Sequence, residues 1–191
     1  QTMNQKQVPD VAFAGVAFHD LRGRSVIVTG GASGIGADIV RGFAAQGCKV
    51  GFVDIDAAAG QALADALPEV WFQACDVTDL EALQLALTAL IEHIGGVDVL
   101  VNNVADDSRH ALESVTAAYF DQRVAINLRP HFFATQAVLS SMRARGGGAI
   151  INMGSVSWMV KGVGYSVYAT CKSAMQGLTR VLAGERVADK I

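Results

Sequence analysis

Tyr168 and Lys172, in the stretch "YATCK", are the pair whose types and spacing most directly suggest chemistry. Residues four apart lie on one face of a helix, so the Lys172 ammonium can stand beside the Tyr168 phenol. Lowering a tyrosine pKa from about 10 to ~7 requires about 4 kcal/mol. One unit charge at ~4 Å, with an effective dielectric of ~20, supplies about that much, although desolvation opposes the shift. The pair can therefore accept a proton near neutral pH.

A glycine-rich stretch, "VTGGASGIG" from Val28 to Gly36, follows an apolar run near the start of the chain. Glycine weakens regular structure, so something must require bare backbone there. Such a turn between a strand and a helix lets the backbone approach a pyrophosphate, and the helix N-terminus adds N–H groups and a positive dipole. The spacing Gly30-x-x-x-Gly34-x-Gly36 differs from the commonest dinucleotide fingerprint. A turn that merely tightens a loop is the alternative.

Asp54 ends the second apolar run, "VGFVD", eighteen residues after Gly36. An acidic side chain at this point accepts hydrogen bonds from the adenosine ribose hydroxyls of a dinucleotide. A 2′-phosphate would bring roughly two negative charges against the carboxylate. Neither Ile55, Asp56 nor Ser33 supplies a compensating cation, so the sequence favours NAD over NADP. The alternative is that Asp54 only opens the following turn.

Apolar, strand-like runs alternate with helix-like patterns along the chain. The predicted strands are 25–29, 49–54, 70–76, 97–103 and 148–153, and the predicted helices are 34–46, 57–66, 79–93, 117–144 and 165–188. The strands are nearly continuous apolar runs, as expected where helices cover both sheet faces. This alternation predicts an α/β fold with a doubly wound, parallel, Rossmann-type sheet in three α/β/α layers. We expect one NAD-binding catalytic domain over 21–191, preceded by an N-terminal packing arm over 1–20.

The composition excludes several classes of protein. Hydrophobic residues make up 51% and charged residues 17%, which indicates a globular chain with a packed core. The net charge of −3, with dispersed lysines and arginines, argues against nucleic acid, and no apolar run approaches the ~18 residues that span a bilayer. Three scattered cysteines favour a reducing compartment, so we expect a cytoplasmic protein. The four histidines lack ligand spacing, so we expect no metal site.

The motifs together resemble a known family. "TGGASGIG", "CDVTD", "LVNNVA", "INL", "INMGSVS" and "YATCK" are similar, in order and spacing, to the motifs of the short-chain dehydrogenase/reductase superfamily, from about Leu21 onwards. The resemblance implies four catalytic residues: Asn127, Ser155, Tyr168 and Lys172. It also implies that NAD is bound by Gly30, Ser33, Gly34, Ile35, Gly36, Asp54, Ile55, Asp76, Val77, Asn103, Ala105, Tyr168 and Lys172. One departure is "NNVA", where the family usually has "NNAG", so Ala105 adds a methyl group.

An oxidoreductase mechanism follows from this resemblance. Ser155 and Tyr168 would hydrogen-bond the substrate oxygen, and Tyr168 would accept the alcohol proton as hydride leaves for the nicotinamide. Lys172 resembles the family residue that also holds the nicotinamide ribose. Asn127 would support a water-linked path for the proton.

Three segments, 102–110, 119–138 and 152–158, look like a bacterial sugar-dehydrogenase branch, whose members oxidise aldoses at C1 to the lactone with NAD(P). Polar side chains over 106–110 and the Trp158 ring suit a polyhydroxylated ligand. We therefore expect substrate contacts from Arg109, Ser155, Trp158 and Tyr168. In the alternative interpretation, the charged loop is simply solvated and Trp158 packs against a lid.

Two other functions stay open at this point. One is an NAD(P)H-dependent reductase of a carbonyl or 3-oxoacyl thioester, against which Asp54 counts because that direction commonly pairs with NADP. The other is a truncated, non-catalytic NAD-binding protein. The family ordinarily continues beyond the equivalent of Ile191 into two further strands and a substrate-covering segment, so we expect those C-terminal strands to be absent here. The helices over 117–144 and 165–188 resemble the family's dimer interface, which predicts a homodimer or homotetramer.

Overall fold

The computed structural model describes residues 15–191 and contains one five-stranded parallel sheet in the order β3-β2-β1-β4-β5. The strands are β1 (Ser25–Thr29), β2 (Lys49–Asp54), β3 (Val70–Ala74), β4 (Val99–Asn102) and β5 (Ala149–Asn152). The chain winds from β1 first to one side and then, through β4, to the other. The predicted doubly wound parallel sheet is confirmed. The reversal lies between β1 and β4, where such sheets bind ligands at their carboxyl ends.

Helices cover both faces of this sheet. They are α1 (Gly34–Ala45), α2 (Ala57–Ala66), α3 (Leu80–Ile94), α4 (Ala117–Asn127), α5 (Arg129–Ala144) and α6 (Ser166–Arg186). Alternate residues of β1 point to opposite faces. Ile27 packs into a core with residues of α3 and α5, whereas Val26 and Val28 pack into a second core with residues of α1. The three-layer arrangement explains why every residue of β1 is buried.

The single helix predicted over 117–144 is wrong, because the structure has two helices there. α4 ends at Asn127, Leu128 leaves the helical region at φ −133° and ψ −56°, and α5 begins at Arg129. Pro130 explains the break, since it lacks the N–H that would bond to the carbonyl four residues earlier and its ring clashes with that carbonyl. The break puts Asn127 at the very end of a helix.

Local signals at the helix ends agree with the predicted boundaries. The Asp79 carboxylate accepts from two backbone N–H groups at the start of α3, and Gly95 ends that helix in the left-handed region with φ +78°. Gly47, the residue directly after the predicted helix 34–46, has φ +77°.

The predicted N-terminal arm lies largely outside the described residues, which begin at Gly15. At its described end, the Gln46 side chain accepts from the Phe18 N–H (2.8 Å) and donates to the Val16 carbonyl (3.1 Å). Within residues 15–191 no helix combines the length and apolar character needed to cross a membrane.

Candidate active site

A cleft of about 540 Å³ opens at the carboxyl ends of the five strands. Almost all residues predicted to bind the cofactor line it: Gly30, Ser33, Ile35, Gly36, Asp54, Ile55, Asp76, Val77, Asn103, Ala105, Tyr168 and Lys172. Gly34 is the exception and lies in the turn just before Ile35. Residues far apart in sequence meet here because each follows the end of a parallel strand or faces that edge from a helix.

The glycine turn is built around close backbone approaches. A Cβ atom on Gly36 would overlap the Gly30 carbonyl oxygen, and Gly30 and Gly34 have φ values of +69° and +52°. The Asn103 side chain fixes the turn, since its Nδ2 donates to the Gly30 carbonyl at 2.8 Å. The turn leads directly into α1, whose N-terminal N–H groups favour an anion. The turn therefore fits a pyrophosphate.

Asp54 is half-buried at the end of β2, and its carboxylate is hydrogen-bonded to the backbone of the glycine turn. One carboxylate oxygen accepts from the Ala32 N–H (2.9 Å) and the other from the Asp56 N–H (3.0 Å). A carboxylate offers about four acceptor positions, so two stay available toward the cleft. Asp54 thus stabilises the turn that follows β2 and still has free acceptor positions for ribose hydroxyls. The two roles that the sequence offered as alternatives are therefore compatible.

Tyr168 and Lys172 both line the cleft from α6. Lys172 is buried, its Nζ donates to the Met153 carbonyl at 2.8 Å, and Nζ lies 5.9 Å from the centre of the Tyr168 ring. Burial lowers the pKa of Lys172 to about 8, against an opposing effect of Cys171. The arrangement places a buried positive charge next to the Tyr168 ring.

Asn127 and Ser155 are not among the residues that line the cleft, although their sequence neighbours Ile126 and Gly154 are. The buried Asn127 side chain brackets the backbone of Asp106: its Oδ1 accepts from the N–H (2.8 Å) and its Nδ2 donates to the carbonyl (3.0 Å). Ser155 directly follows cleft-lining Gly154, and its Oγ accepts from the Ser157 N–H at 3.1 Å. In this geometry Asn127 supports the loop after β4.

The structure does not bring Arg109 and Trp158 into this cleft. The Arg109 guanidinium lies over the Tyr165 ring, 4.4 Å from its centre. Trp158 lines a separate cavity of about 680 Å³ together with Tyr165 and residues on the opposite face of α6 from Tyr168. Their predicted role as substrate contacts stays a prediction.

Ala105, the departure from the family motif, also lines the cleft. Among the described residues, the non-glycine positions with positive φ are Glu69 and Lys190, so Ala105 needs no glycine-like backbone. Its methyl group is accommodated in the cleft wall, and local geometry tolerates the change.

Sequence reasoning missed several residues of the site. It did not predict Cys75, Val104, Ile126, Met153 and Gly154, which also line the cleft, whereas Asp106 belongs to the polar segment 106–110 that it did single out. A further buried group lies nearby: His131 of α5 has no hydrogen-bond partner for either ring nitrogen in the described structure. Burial, and secondarily the Lys172 charge, lower the pKa of His131 to about 3. The burial of His131 and the position of the additional cleft residues depend on elements that are distant in the chain. The residues next to them in sequence therefore do not predict either.

Comparisons with known proteins agree with this geometry. A family model described as short chain dehydrogenase matches residues 24–191. D-xylose 1-dehydrogenase from Caulobacter vibrioides is 45% identical over 179 residues, covering 91% of this chain and 70% of that protein. The probable galactose dehydrogenase GalD from Rhizobium meliloti is 42% identical with the same coverage. A crystal structure of NADH-dependent reductase A1-R′ complexed with NAD superposes with a TM-score of 0.84 at 29% identity, covering 91% of this chain and 77% of that one.

Proposed function

This chain belongs to the short-chain dehydrogenase family, and we propose that it oxidises an aldose at C1 to the lactone with NAD. It is an NAD(P)-dependent oxidoreductase acting on CH–OH groups. The aldose is supported by relatives named for xylose and galactose at 45% and 42% identity. The observation that carries the proposal is the presence of Tyr168 and Lys172 in one cleft with Asp54 and the glycine turn.

The preference for NAD over NADP is supported by charge. Asp54 keeps acceptor positions toward the cleft, and its neighbours Ile55 and Asp56 add no cation. A 2′-phosphate at this position would meet the carboxylate without a counter-charge. NAD, when bound, supplies the acceptor for the hydride.

The proton chemistry belongs to α6 and its neighbours. Tyr168 accepts the proton of the C1 hydroxyl while the hydrogen on C1 leaves with its electron pair. The Lys172 ammonium stabilises the phenolate before transfer, and Ser155 donates to the substrate oxygen. Asn127 holds the backbone at Asp106 and connects this end of the cleft to a water-linked proton path.

The predicted homo-oligomer also stays a proposal, with one supporting feature. α4 and α5 leave Phe120, Phe132 and Phe133 exposed at 43%, 49% and 38%. The Phe132 and Phe133 rings lie side by side with their centres 5.5 Å apart, and adjacent exposed aromatic side chains of this kind favour a protein–protein contact. Light scattering on the purified protein would measure the molar mass of the particle in solution. We expect the mass of a dimer or a tetramer, and the mass of a monomer would contradict the proposal.

The test of the proposed function is NADH formation from NAD⁺ with a panel of pentoses and hexoses, measured beside Tyr168→Phe. We expect turnover with at least one aldose, the lactone as product, and loss of at least about 10³-fold in kcat in the variant. The matched control is Tyr165→Phe, since Tyr165 lies outside the cleft and lines the separate cavity. NAD binding without oxidation of any aldose, together with NADH-driven reduction of a ketone or acyl thioester, would instead identify a reductase.

A further inference from the structure

Asp106 is a cleft residue with an unusual support. It lines the same cleft as Tyr168 and Lys172, and the Asn127 side chain clamps its backbone on both sides. Because Asn127 is the last residue of α4, these two hydrogen bonds fix the backbone of Asp106 relative to that helix. Asp106 therefore has a fixed backbone in the wall of the cleft that also contains the candidate catalytic pair.

The counter-charge of Asp106 comes from a buried arginine. Arg123 is only 7% exposed, its Nη1 lies 2.5 Å from Asp106 Oδ2, and its guanidinium stacks 5.1 Å from the centre of the Tyr119 ring. A buried guanidinium is costly without a partner, so Arg123 and Asp106 depend on each other. Burial raises the pKa of Asp106, but hydrogen bonds from Ser108 and the Arg123 charge outweigh it and bring the pKa below its usual value. The carboxylate is ionised at neutral pH.

The hydrogen bonds of this carboxylate leave one acceptor position open. Oδ1 accepts from the Ser108 N–H (2.8 Å) and the Ser108 hydroxyl (2.5 Å), while Oδ2 faces Arg123. A carboxylate accepts about four hydrogen bonds, so Oδ2 can take one more. The side chain is 35% exposed, which leaves room for a donor. The Lys172 ammonium of the same cleft already donates to the Met153 carbonyl.

We propose that Asp106 is a specificity-determining residue, which accepts a hydrogen bond from one hydroxyl of the aldose on a carbon other than C1. This assignment rests on the proposed function. An ionised carboxylate forms short, strong bonds to hydroxyl groups, and a site built for one hydroxyl discriminates strongly against an analogue that lacks it. Arg123 fixes the direction of the acceptor and keeps it charged.

The test compares Asp106→Asn with the wild type on the aldose that the wild type oxidises best and on its 2-, 3- and 4-deoxy analogues. For the parent sugar we expect kcat/KM to fall about 10- to 100-fold, the range for hydrogen bonds to charged groups. For the analogue that lacks the recognised hydroxyl, the variant and the wild type should differ less than about threefold. The KM for NAD should stay within about twofold.

Two further variants separate recognition from folding. Asp121→Asn changes an exposed carboxylate of α4 that lies outside the cleft wall, so it should leave kcat/KM unchanged. The double variant Asp106→Asn, Arg123→Met leaves no buried charge without a partner. We expect it to recover the Tm and keep the altered preference among the deoxy analogues.

Equal losses on the parent and on all deoxy analogues, with a raised KM for NAD, would assign Asp106 to support of Asn127 and overturn the assignment. Full activity of Asp106→Asn on the parent sugar would overturn it as well, while leaving the proposed function intact. A wild-type chain that oxidises no aldose overturns the proposed function and this assignment together.

Discussion

Two aspartates at opposite edges of the sheet are used in opposite ways. Asp98, at the amino end of β4, accepts from the Ser25 N–H (2.8 Å), from Arg24 (3.3 Å) and from two nitrogens of Arg145 (2.9 and 2.7 Å). Asp54, at the carboxyl end of β2, accepts from two backbone N–H groups only. The first carboxylate has its acceptor positions filled by the protein, and the second keeps half of them.

This difference separates stability from ligand binding. The bonds of Asp98 join β1, β4 and the residue that ends α5, so its role is complete within the chain. The open positions of Asp54 have value only when a ligand donates to them. We therefore expect substitutions at the amino edge to lower the free energy of unfolding, and substitutions at the carboxyl edge to lower activity.

The largest expected effect is at the carboxyl edge, in Lys172→Met. Loss of the ammonium beside Tyr168 should lower kcat by at least about 10³-fold. The same change removes a buried charge whose pKa is lowered to about 8, so the free energy of unfolding at pH 7 should rise by about 1–3 kcal/mol. Urea unfolding and steady-state kinetics on one preparation measure both. A variant that is inactive and also markedly less stable would contradict the separation of the two edges.

Asp98→Asn should show the reverse pattern. Its ion pairs with Arg24 and Arg145 are lost, which should lower the free energy of unfolding by about 2 kcal/mol while kcat stays within about twofold. Burial raises the pKa of Asp98, but the bonds from Arg145, Ser25 and Arg24 together lower it below the usual 3.8. The stabilisation is thus fully present above pH 3.8 and is lost as the pH falls through the lower folded-state pKa. Unfolding curves should separate wild type and variant fully at pH 7, and the separation should shrink as the pH is lowered below 3.8.

Asp54→Asn tests the other aspartate. We expect the KM for NAD to rise about 10- to 100-fold, because charge-assisted bonds to the ribose are lost, and the preference for NAD over NADP to shrink. The Tm should fall only modestly, since the one amide oxygen of Asn can still accept from the Ala32 N–H and only the exposed Asp56 N–H loses its acceptor. Asp56→Asn, which keeps the cap of α2 without facing the cleft, is the matched control. An unchanged cofactor preference in Asp54→Asn would mean that Asp54 serves the turn alone.

His131→Leu tests the contribution of a buried histidine to the pH dependence of the free energy of unfolding. Because the pKa of His131 lies at about 3 in the folded chain and at 6.5 when unfolded, protons bind the unfolded state between these values. The wild type should therefore lose about 1.4 kcal/mol of stability per pH unit as the pH falls from 6.5 toward 3. The leucine variant should lack this contribution, whereas replacement of the exposed His19 should not change it. Parallel pH profiles for wild type and His131→Leu would show that His131 gains protons equally in both states.

Much of the fold and the cleft could be predicted from sequence because their signals are local. The apolar run of β1 indicates a buried strand. The glycines at 30 and 34 indicate a turn with positive φ values, which other residues rarely adopt. Tyr168 and Lys172 reach the cleft because a helix fixes their spacing. The break at Leu128 also has a local signal, since Pro130 is visible in the sequence.

Other features depend on partners distant in the chain. Arg109 turns toward Tyr165, 56 residues later, and its own segment does not indicate this direction. The burial of Arg123 requires Asp106 and Tyr119 to cover its guanidinium. His131 shows no periodic signal that would separate a buried imidazole from an exposed one. The sequence shows which polar residues lie in a segment, but tertiary packing decides where their side chains point.

The most direct test of the central claim follows the hydrogen on C1. D-Xylose and D-galactose carrying deuterium at C1 would be incubated with NAD⁺ and the chain, and the reduced cofactor analysed by mass spectrometry. The account predicts deuterium in the NADH and a lactone as the product from at least one of the two sugars, with neither formed by Tyr168→Phe. NADH without deuterium, or a product oxidised at another carbon, would contradict C1 oxidation at this cleft.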